Sequence, residues 1–115
     1  MVESREKLID RYMDALDEDD FELLRPHLAD DVKYTSLVGD FEGLEEVERF
    51  YETERNASDT VHEIDRYVHT DEVSFAEGHT WGQLPDTGRF EANFCIGFEF
   101  ADDNITHISV YVRRR

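Results

Sequence analysis

The alternation of apolar and other residues between Phe90 and Phe100 constrains the fold most. Apolar side chains occupy every second position there: Phe90, Ala92, Phe94, Ile96, Phe98 and Phe100. A period of two is typical of a β-strand, because successive side chains point to opposite faces. The pattern predicts a long strand that curves through a small domain and offers one aromatic face to covering helices and to a cavity beneath them.

The rest of the chain divides into a helical first half and a strand-rich second half. Helical spacing predicts a helix over residues 4–17, a short helix that Pro26 either bends or interrupts before a turn at residues 29–31, and a third helix over residues 44–54. A strand at residues 32–37 and a loop at residues 38–43 are expected between them. Four further strands are predicted, at residues 61–69, 73–84, 89–100 and 105–113. We therefore expect one α+β domain, residues 1–115, with the helices on one face of a curved antiparallel sheet.

The charge of the chain limits its partners. It has 29 acidic and 12 basic residues, for a formal net charge of −17, and only two of the bases are lysines. Such a surface repels nucleic acids and anionic membranes, so we expect neither as a partner. A surface rich in acids and poor in lysine is favoured where concentrated salt screens carboxylate repulsion. The composition therefore predicts a protein from the cytoplasm of a halophile.

The sequence offers little for a metal or a cofactor. Cys95 is the single cysteine, and the five histidines form no closely spaced pair of the kind that binds zinc. No apolar run is long enough to cross a bilayer, and the charged N-terminus does not look like a signal peptide. We expect a soluble, cytoplasmic protein without cofactor or metal.

The order of these elements resembles the nuclear-transport-factor-2-like superfamily, especially its SnoaL-like and ketosteroid-isomerase-like branches. The resemblance covers nearly the whole chain and implies a cone with a central ligand pocket. It rests on Arg11-Tyr12, Asp20-Phe21-Glu22, Ala29-Asp30-Asp31, Gly43, Phe50-Tyr51, Pro85-Asp86-Thr87-Gly88-Arg89 and Phe98-Glu99-Phe100 through Asn104-Ile105.

The resemblance implies only part of the ketosteroid isomerase site. Tyr12 matches the tyrosine that donates a hydrogen bond to the developing enolate. Ser36 occupies the position of the general-base carboxylate, and Ile96 that of the buried carboxylic acid. Because a base and an oxyanion partner are both needed for that reaction, steroid isomerisation is disfavoured.

An acid–base pair is a second candidate. On the strand predicted at residues 73–84, the large residues Phe75, Glu77, His79 and Trp81 share one face, which we expect to line the cavity. Glu77 would orient His79 or share a substrate proton with it. The alternative is that both lie at a wet rim or sheet edge and are satisfied by neighbours. Tyr12 likewise has an alternative as a core tyrosine with a polar partner.

These residues predict a cone that binds a small, mostly apolar molecule, with isomerase, cyclase or lyase-type proton transfer by Tyr12, Glu77 and His79. The alternative is a non-catalytic binding or assembly module, in which Phe94, Phe98 and Trp81 fill the cone. The expected lining of the pocket is Tyr34, Ser36, Phe50, Phe75, Trp81, Phe94, Ile96 and Phe98.

The opposite face of the sheet is expected to carry small residues and to form a homodimer interface. Its members would be Ser74, Ala76, Gly78, Thr80, Asn93, Cys95, Gly97 and Ser109.

Overall fold

Helical segments cover one face of a curved six-stranded sheet in the computed structural model of the protein, which describes residues 2–114. Helix α1 (Val2–Glu18) is followed by two single 3-10 turns, Phe21–Leu23 and Arg25–His27. The side chain of Asp20 accepts a hydrogen bond from the backbone N–H of Glu22 (3.1 Å) and caps the first of these turns. Helix α2 (Leu44–Arg49) continues into a wider, π-helical turn at Phe50–Glu54.

The strands follow closely the segments that the sequence predicts. They are β1 (Leu28–Ser36), β2 (Gly39–Glu42), β3 (Ser58–His69), β4 (Val73–Leu84), β5 (Gly88–Ala101) and β6 (Asn104–Arg114). Their order in the sheet is β2-β1-β6-β5-β4-β3. The α+β class, with helices on a curved sheet, is confirmed. Neighbouring strands are antiparallel except β1 and β6, which run parallel because the chain returns to β1 only after α2 and the β3–β6 meander.

Two details of the first half differ from the sequence prediction. The segment expected to be a loop at residues 38–43 contains the short strand β2, which pairs with β1 in a tight hairpin. Strand β1 also begins at Leu28, so the expected turn at residues 29–31 lies inside it. The register of β1 against β6 shifts between Leu28 and Lys33, which shows that this acidic stretch is paired irregularly.

The apolar face of β5 is the inner face, as the alternation predicts. Phe94, Ile96 and Phe98 are buried there under the helices, and the Phe98 ring contacts Tyr12 of α1 edge-on, with the ring centroids 5.3 Å apart. The buried stripe of α1 is Ile9, Tyr12, Met13 and Leu16. The core of the molecule therefore lies between α1 and β5.

The faces of β4 are the reverse of those expected from the sequence. Ser74, Ala76 and Thr80 are buried on the inner face, and Ala76 pairs with Ile96 across the β4–β5 ladder. Directly paired residues point to the same side of a sheet, so Glu77, opposite Cys95, lies on the outer face. The small side chains on the inner face of β4 leave room for Phe94 and Ile96 of β5 and for the aromatic residues of the helices. The outer face carries Phe75, Glu77, His79 and Trp81.

The interface predicted on small residues is therefore divided between two faces. Ser74, Ala76, Gly78 and Thr80 point into the molecule, and that part of the prediction is wrong. Asn93, Cys95, Gly97 and Ser109 do lie on the outer face, where the ring of Phe75 covers Gly97.

Candidate functional site

A cavity of about 110 Å³ lies between the helices and the inner face of the sheet, and we call it the inner cavity. Its apolar wall comes from α1 and from strands β5 and β6. Its polar groups come from α1, β1, the π-helical turn and its following residue, β3 and β4. The lining residues are Tyr12, Leu16, Tyr34, Tyr51, Arg55, His62, Thr80, Phe94, Ile96, Val110 and Val112.

Two tyrosine hydroxyls meet in this cavity. Tyr12 of α1 and Tyr51 of the π-helical turn are hydrogen-bonded, with an oxygen–oxygen distance of 2.6 Å. The wider turn is closed by the backbone N–H of Arg55, which donates to the carbonyl of Phe50 (2.9 Å). One hydroxyl of the pair donates to the other, so the second proton remains for a ligand oxygen.

The buried tyrosines are held in their neutral form. Burial is the main cause that raises the pKa of Tyr12, Tyr34 and Tyr51 above the usual value for tyrosine. The nearby charge of Arg55 lowers each pKa but does not outweigh burial, and a hydrogen bond with Ser36 lowers that of Tyr34. The hydroxyls therefore serve as neutral hydrogen-bond donors.

His62 lies in the same cavity wall and is paired with Asp17. Asp17, near the end of α1, holds Nδ1 of His62 at 2.5 Å through Oδ1 and accepts a hydrogen bond from the His62 backbone N–H through Oδ2 (3.0 Å). Thr60 also donates to Oδ1 of Asp17 (3.1 Å), and Arg55 donates to Thr60 (3.2 Å). The His62 ring packs edge-on against Phe94. This arrangement fixes the ring and leaves Nε2 as the nitrogen that can serve the cavity.

A second cavity, of about 260 Å³, adjoins the first, and we call it the vestibule. Leu16, Tyr51 and Arg55 line both cavities, so they form the boundary between them. The carboxylates of the vestibule are those of Asp19, Asp20, Glu22 and Glu52.

Three of the eight residues predicted to line the pocket do so: Tyr34, Phe94 and Ile96 line the inner cavity. Tyr12, predicted as a catalytic residue, lines it as well. Ser36 contacts Tyr34 from outside it. Phe50 and Phe98 are buried in the aromatic core: Phe50 is stacked on Phe41 (4.8 Å between centroids), and Phe98 lies against Tyr12.

Glu77 and His79 do not share the cavity with Tyr12. On the outer face, Glu77 pairs with Arg66 (2.7 Å), and His79 pairs with Glu63 (2.9 Å) and Asp65 (3.4 Å). Trp81 stacks on the His79 ring, and Phe75 lies on the same face. The expected placement of these four residues inside the cone is wrong, and the contacts match the alternative in which neighbours satisfy Glu77 and His79.

The sequence prediction missed His62, Asp17, Tyr51, Arg55 and Thr80 as a group. His62 and Asp17 are 45 positions apart, and no local spacing links them. The available signal is a polar residue at an inward position of a strand: Thr60, His62 and Ile64 alternate along β3 on its inner side, and Thr60 is buried.

Two other classes of site are absent from the part of the chain that the structure describes. Among residues 2–114, no group of three or more His, Cys, Asp and Glu side chains is arranged to hold a metal ion. Within the same range, no helix has the length and apolar character that a membrane crossing requires.

Comparison with known proteins agrees with the fold. The model of the SnoaL-like domain family matches residues 9–108. An NTF2-like protein from Anabaena variabilis has a TM-score of 0.86 at 13% identity, covering 97% of this chain and 88% of its own. A putative SnoaL-like polyketide cyclase from Shewanella denitrificans has a TM-score of 0.82 at 13% identity, with coverage of 94% and 89%. An LEH-like epoxide hydrolase from M. tuberculosis has a TM-score of 0.79 at 18% identity, with coverage of 93% and 80%.

At these identities the structural similarity shows the fold alone. No curated protein matches the chain. The family match spans most of the sequence and agrees with the cone and its helical cover. The chain belongs to the SnoaL-like domain family.

Proposed function

We propose that the protein binds a small, largely apolar carbonyl compound in the inner cavity and catalyses proton transfer on it without a cofactor. The observation that carries the proposal is that the Tyr12–Tyr51 hydroxyl pair and His62, whose ring is held by Asp17, line one cavity of about 110 Å³. Solved structures of this fold include proteins named as polyketide cyclase and as epoxide hydrolase, which supports a catalytic role for such a cavity.

Each group has a defined part in the proposed reaction. The Tyr12–Tyr51 pair donates its one free proton to the carbonyl oxygen and so stabilises the negative charge that develops when an adjacent C–H proton leaves; the hydrogen bond between the two hydroxyls strengthens that donor. His62 accepts that proton at Nε2 and returns it at another carbon or to a leaving group. Asp17 fixes the tautomer with Nδ1 protonated and stabilises the imidazolium that forms. The general-base role that the sequence suggested for His79 thus passes to His62.

Exchange of α-protons for deuterium tests this chemistry without knowledge of the natural substrate. Butan-2-one in D₂O, followed by NMR, is the probe. We expect the protein to accelerate the exchange and His62→Gln to abolish the acceleration. Tyr12→Phe and Tyr51→Phe should lower it by a factor on the order of 10 to 100. His107→Gln, on the outer face of β6, is the matched control and should keep the wild-type rate.

The same experiment separates catalysis from binding alone. A folded wild-type protein that binds butan-2-one without accelerating exchange would contradict the acid–base proposal and favour the non-catalytic module. Equal loss in His62→Gln and His107→Gln would show that the effect does not come from the inner cavity.

We also propose that the protein forms a homodimer through the outer face of strands β3–β6. The register and the ion pairs place three arginines, Arg66, Arg89 and Arg113, and five carboxylates, Glu63, Asp65, Glu77, Glu91 and Glu99, on this face. With its histidines neutral it carries a net charge of only −2 in a chain of net charge −17, and much of its charge is already paired, so two copies can meet there with modest repulsion. Its exposed apolar side chains include Val61, Val68 and Tyr111.

Light scattering in concentrated KCl tests the proposed dimer, because it measures the mass of the protein in solution. We expect twice the monomer mass for the wild type and the monomer mass for Val68→Asp, because a charge in the middle of an apolar contact is costly to bury. Leu37→Asp, at an exposed apolar position in the β1–β2 turn, is the control and should stay dimeric. A monomeric wild type would contradict the proposal.

A further inference from the structure

Thr80 has a buried hydroxyl group without a hydrogen-bond partner. The residue is 7% exposed and lies in the wall of the inner cavity. Its Oγ1 makes no hydrogen bond within the described part of the chain. Buried hydroxyls in folded proteins are almost always paired, since an unpaired one costs free energy. The unpaired Oγ1 therefore points to a bound group that the fold itself does not supply.

His62 is the direct neighbour of this hydroxyl. Residues His62 and Thr80 are partners in the β3–β4 ladder, so their side chains lie side by side on the inner face, with Cβ atoms about 5 Å apart. Asp17 accepts the hydrogen bond of His62 Nδ1, and a neutral ring then carries its lone pair on Nε2. An acceptor and a hydroxyl donor are thus adjacent in the cavity wall.

A group that satisfies both must accept a hydrogen bond from Thr80 and donate one to His62. A hydroxyl oxygen does both, whereas a ketone or ether oxygen cannot donate to His62, and an ammonium group would leave the hydroxyl proton of Thr80 without an acceptor. We infer that the ligand of the inner cavity carries a hydroxyl group, bound between Thr80 Oγ1 and His62 Nε2.

This inference rests on the proposed function and adds the class of its ligand. In the resting complex the ligand hydroxyl occupies the Nε2 lone pair of His62, and it stays on Thr80 Oγ1 when Nε2 takes the C–H proton. Tyr12 and Tyr51 bind a carbonyl oxygen, and Phe94 and Ile96 supply apolar wall between the polar groups. The ligand is thus a small hydroxy-carbonyl compound with a short apolar body. A bound water molecule presents the same O–H chemistry, so the experiment must separate the two sources.

Two probes that differ only in the hydroxyl group make the separation: 4-hydroxybutan-2-one and butan-2-one, titrated by ligand-observed NMR. The wild type should bind the hydroxy-ketone about tenfold more tightly, the effect of one well-placed hydrogen bond. Thr80→Val keeps the shape of the side chain and should remove the preference. Thr80→Ser keeps the hydroxyl and should retain it. Circular dichroism checks that both variants are folded.

The nitrogen-15 resonance of His62 Nε2 provides a direct readout of the contact. It should shift on addition of 4-hydroxybutan-2-one to the wild type and shift much less with butan-2-one. A purely structural role of Thr80 would not make this shift depend on the ligand hydroxyl.

The outcomes distinguish this inference from the proposed function. Equal binding of both ketones by the wild type means that water or nothing occupies the Thr80 position, and it overturns the inference. Deuterium exchange of butan-2-one would still support the proposed function in that case. A preference that persists in Thr80→Val also overturns the inference. If neither ketone binds, both proposals fail.

Discussion

The buried tyrosines make the protein less stable at alkaline pH. In the unfolded chain a tyrosine ionises near its usual pKa of 10.0, whereas burial raises the pKa of Tyr12 and Tyr51 in the folded protein. Above that pH the unfolded state therefore binds fewer protons, and the free energy of unfolding falls by about 1 kcal/mol per pH unit for each such residue. Below it, the contribution of these residues is fully present.

Denaturant unfolding between about pH 9 and pH 11 measures this effect. The free energy of unfolding of Tyr51→Phe should fall less steeply with pH than that of the wild type, because one ionisable proton is missing. Phe50→Leu, a core change in the next residue that removes no ionisable group, should give a curve parallel to that of the wild type. Parallel curves for Tyr51→Phe and wild type would contradict the prediction.

Only some residues of the site can be predicted from the sequence, because its contacts join residues that are far apart in the chain. Tyr12 was identified because family resemblance fixes its place on the first helix. His62 was not, because its partner Asp17 is brought to it only when α1 docks on β3. Thr80 is a similar case, since its unpaired hydroxyl becomes evident only when every neighbour on the inner face is known.

The pairing of strands β3 and β4 requires a glycine at position 78. A Cβ atom at position 78 would lie 1.9 Å from the carbonyl oxygen of Glu63 and 2.9 Å from the ring of Phe94. The β3–β4 register shifts immediately beside it, between Ile64 and Arg66. The close approach of the two backbones at this irregularity leaves no space for a side chain.

Gly78→Ala should therefore destabilise the protein strongly, by about 3 kcal/mol or more, because a backbone atom must move. Gly97→Ala is the matched control on β5, where the added Cβ would lie 3.0 Å from the Phe75 ring, and a side chain can shift more easily. We expect its cost to be about 1 kcal/mol. Urea unfolding gives both values, and similar values for the two variants would refute the account of the close approach.

The strands of this chain are easier to predict than their orientation. Alternation located β4 and β5 nearly to the residue, and the aromatic face of β5 is the inner one. The same rule fails for β4, because large side chains pack inward only where space remains. Here α1 and β5 supply large inward side chains, Tyr12, Phe94 and Ile96, whereas β4 presents the small Ala76 and Thr80 inward, and the space left beside Thr80 is part of the inner cavity. Which face of a strand is buried depends on its neighbours in the sheet.

At the scale of the whole molecule, the acidic groups are unevenly distributed. The outer face of β3–β6 carries only a small part of the net charge of −17, so most of that charge lies on the other elements, the turns and the vestibule. The four vestibule carboxylates repel anions near the inner cavity, and Arg55 stands at the boundary between the two. This distribution favours a neutral ligand over an anionic one, in agreement with the proposed carbonyl compound.

The same charge makes stability depend on salt. The molecule measures 40 × 30 × 22 Å, so its carboxylates lie close enough to repel one another in dilute buffer, where the screening length is about 10 Å at 0.1 M salt. In about 1 M KCl the screening length falls to about 3 Å, and the repulsion is largely removed. We expect the free energy of unfolding to rise by about 2 kcal/mol or more between these conditions.

A matched variant removes four exposed acids outside both cavities and should show a smaller rise in the free energy of unfolding. Its substitutions are Asp14→Asn, Glu45→Gln, Glu72→Gln and Asp86→Asn. Equal stability of the wild type in dilute and concentrated KCl would contradict both this prediction and the halophilic origin that the composition predicts.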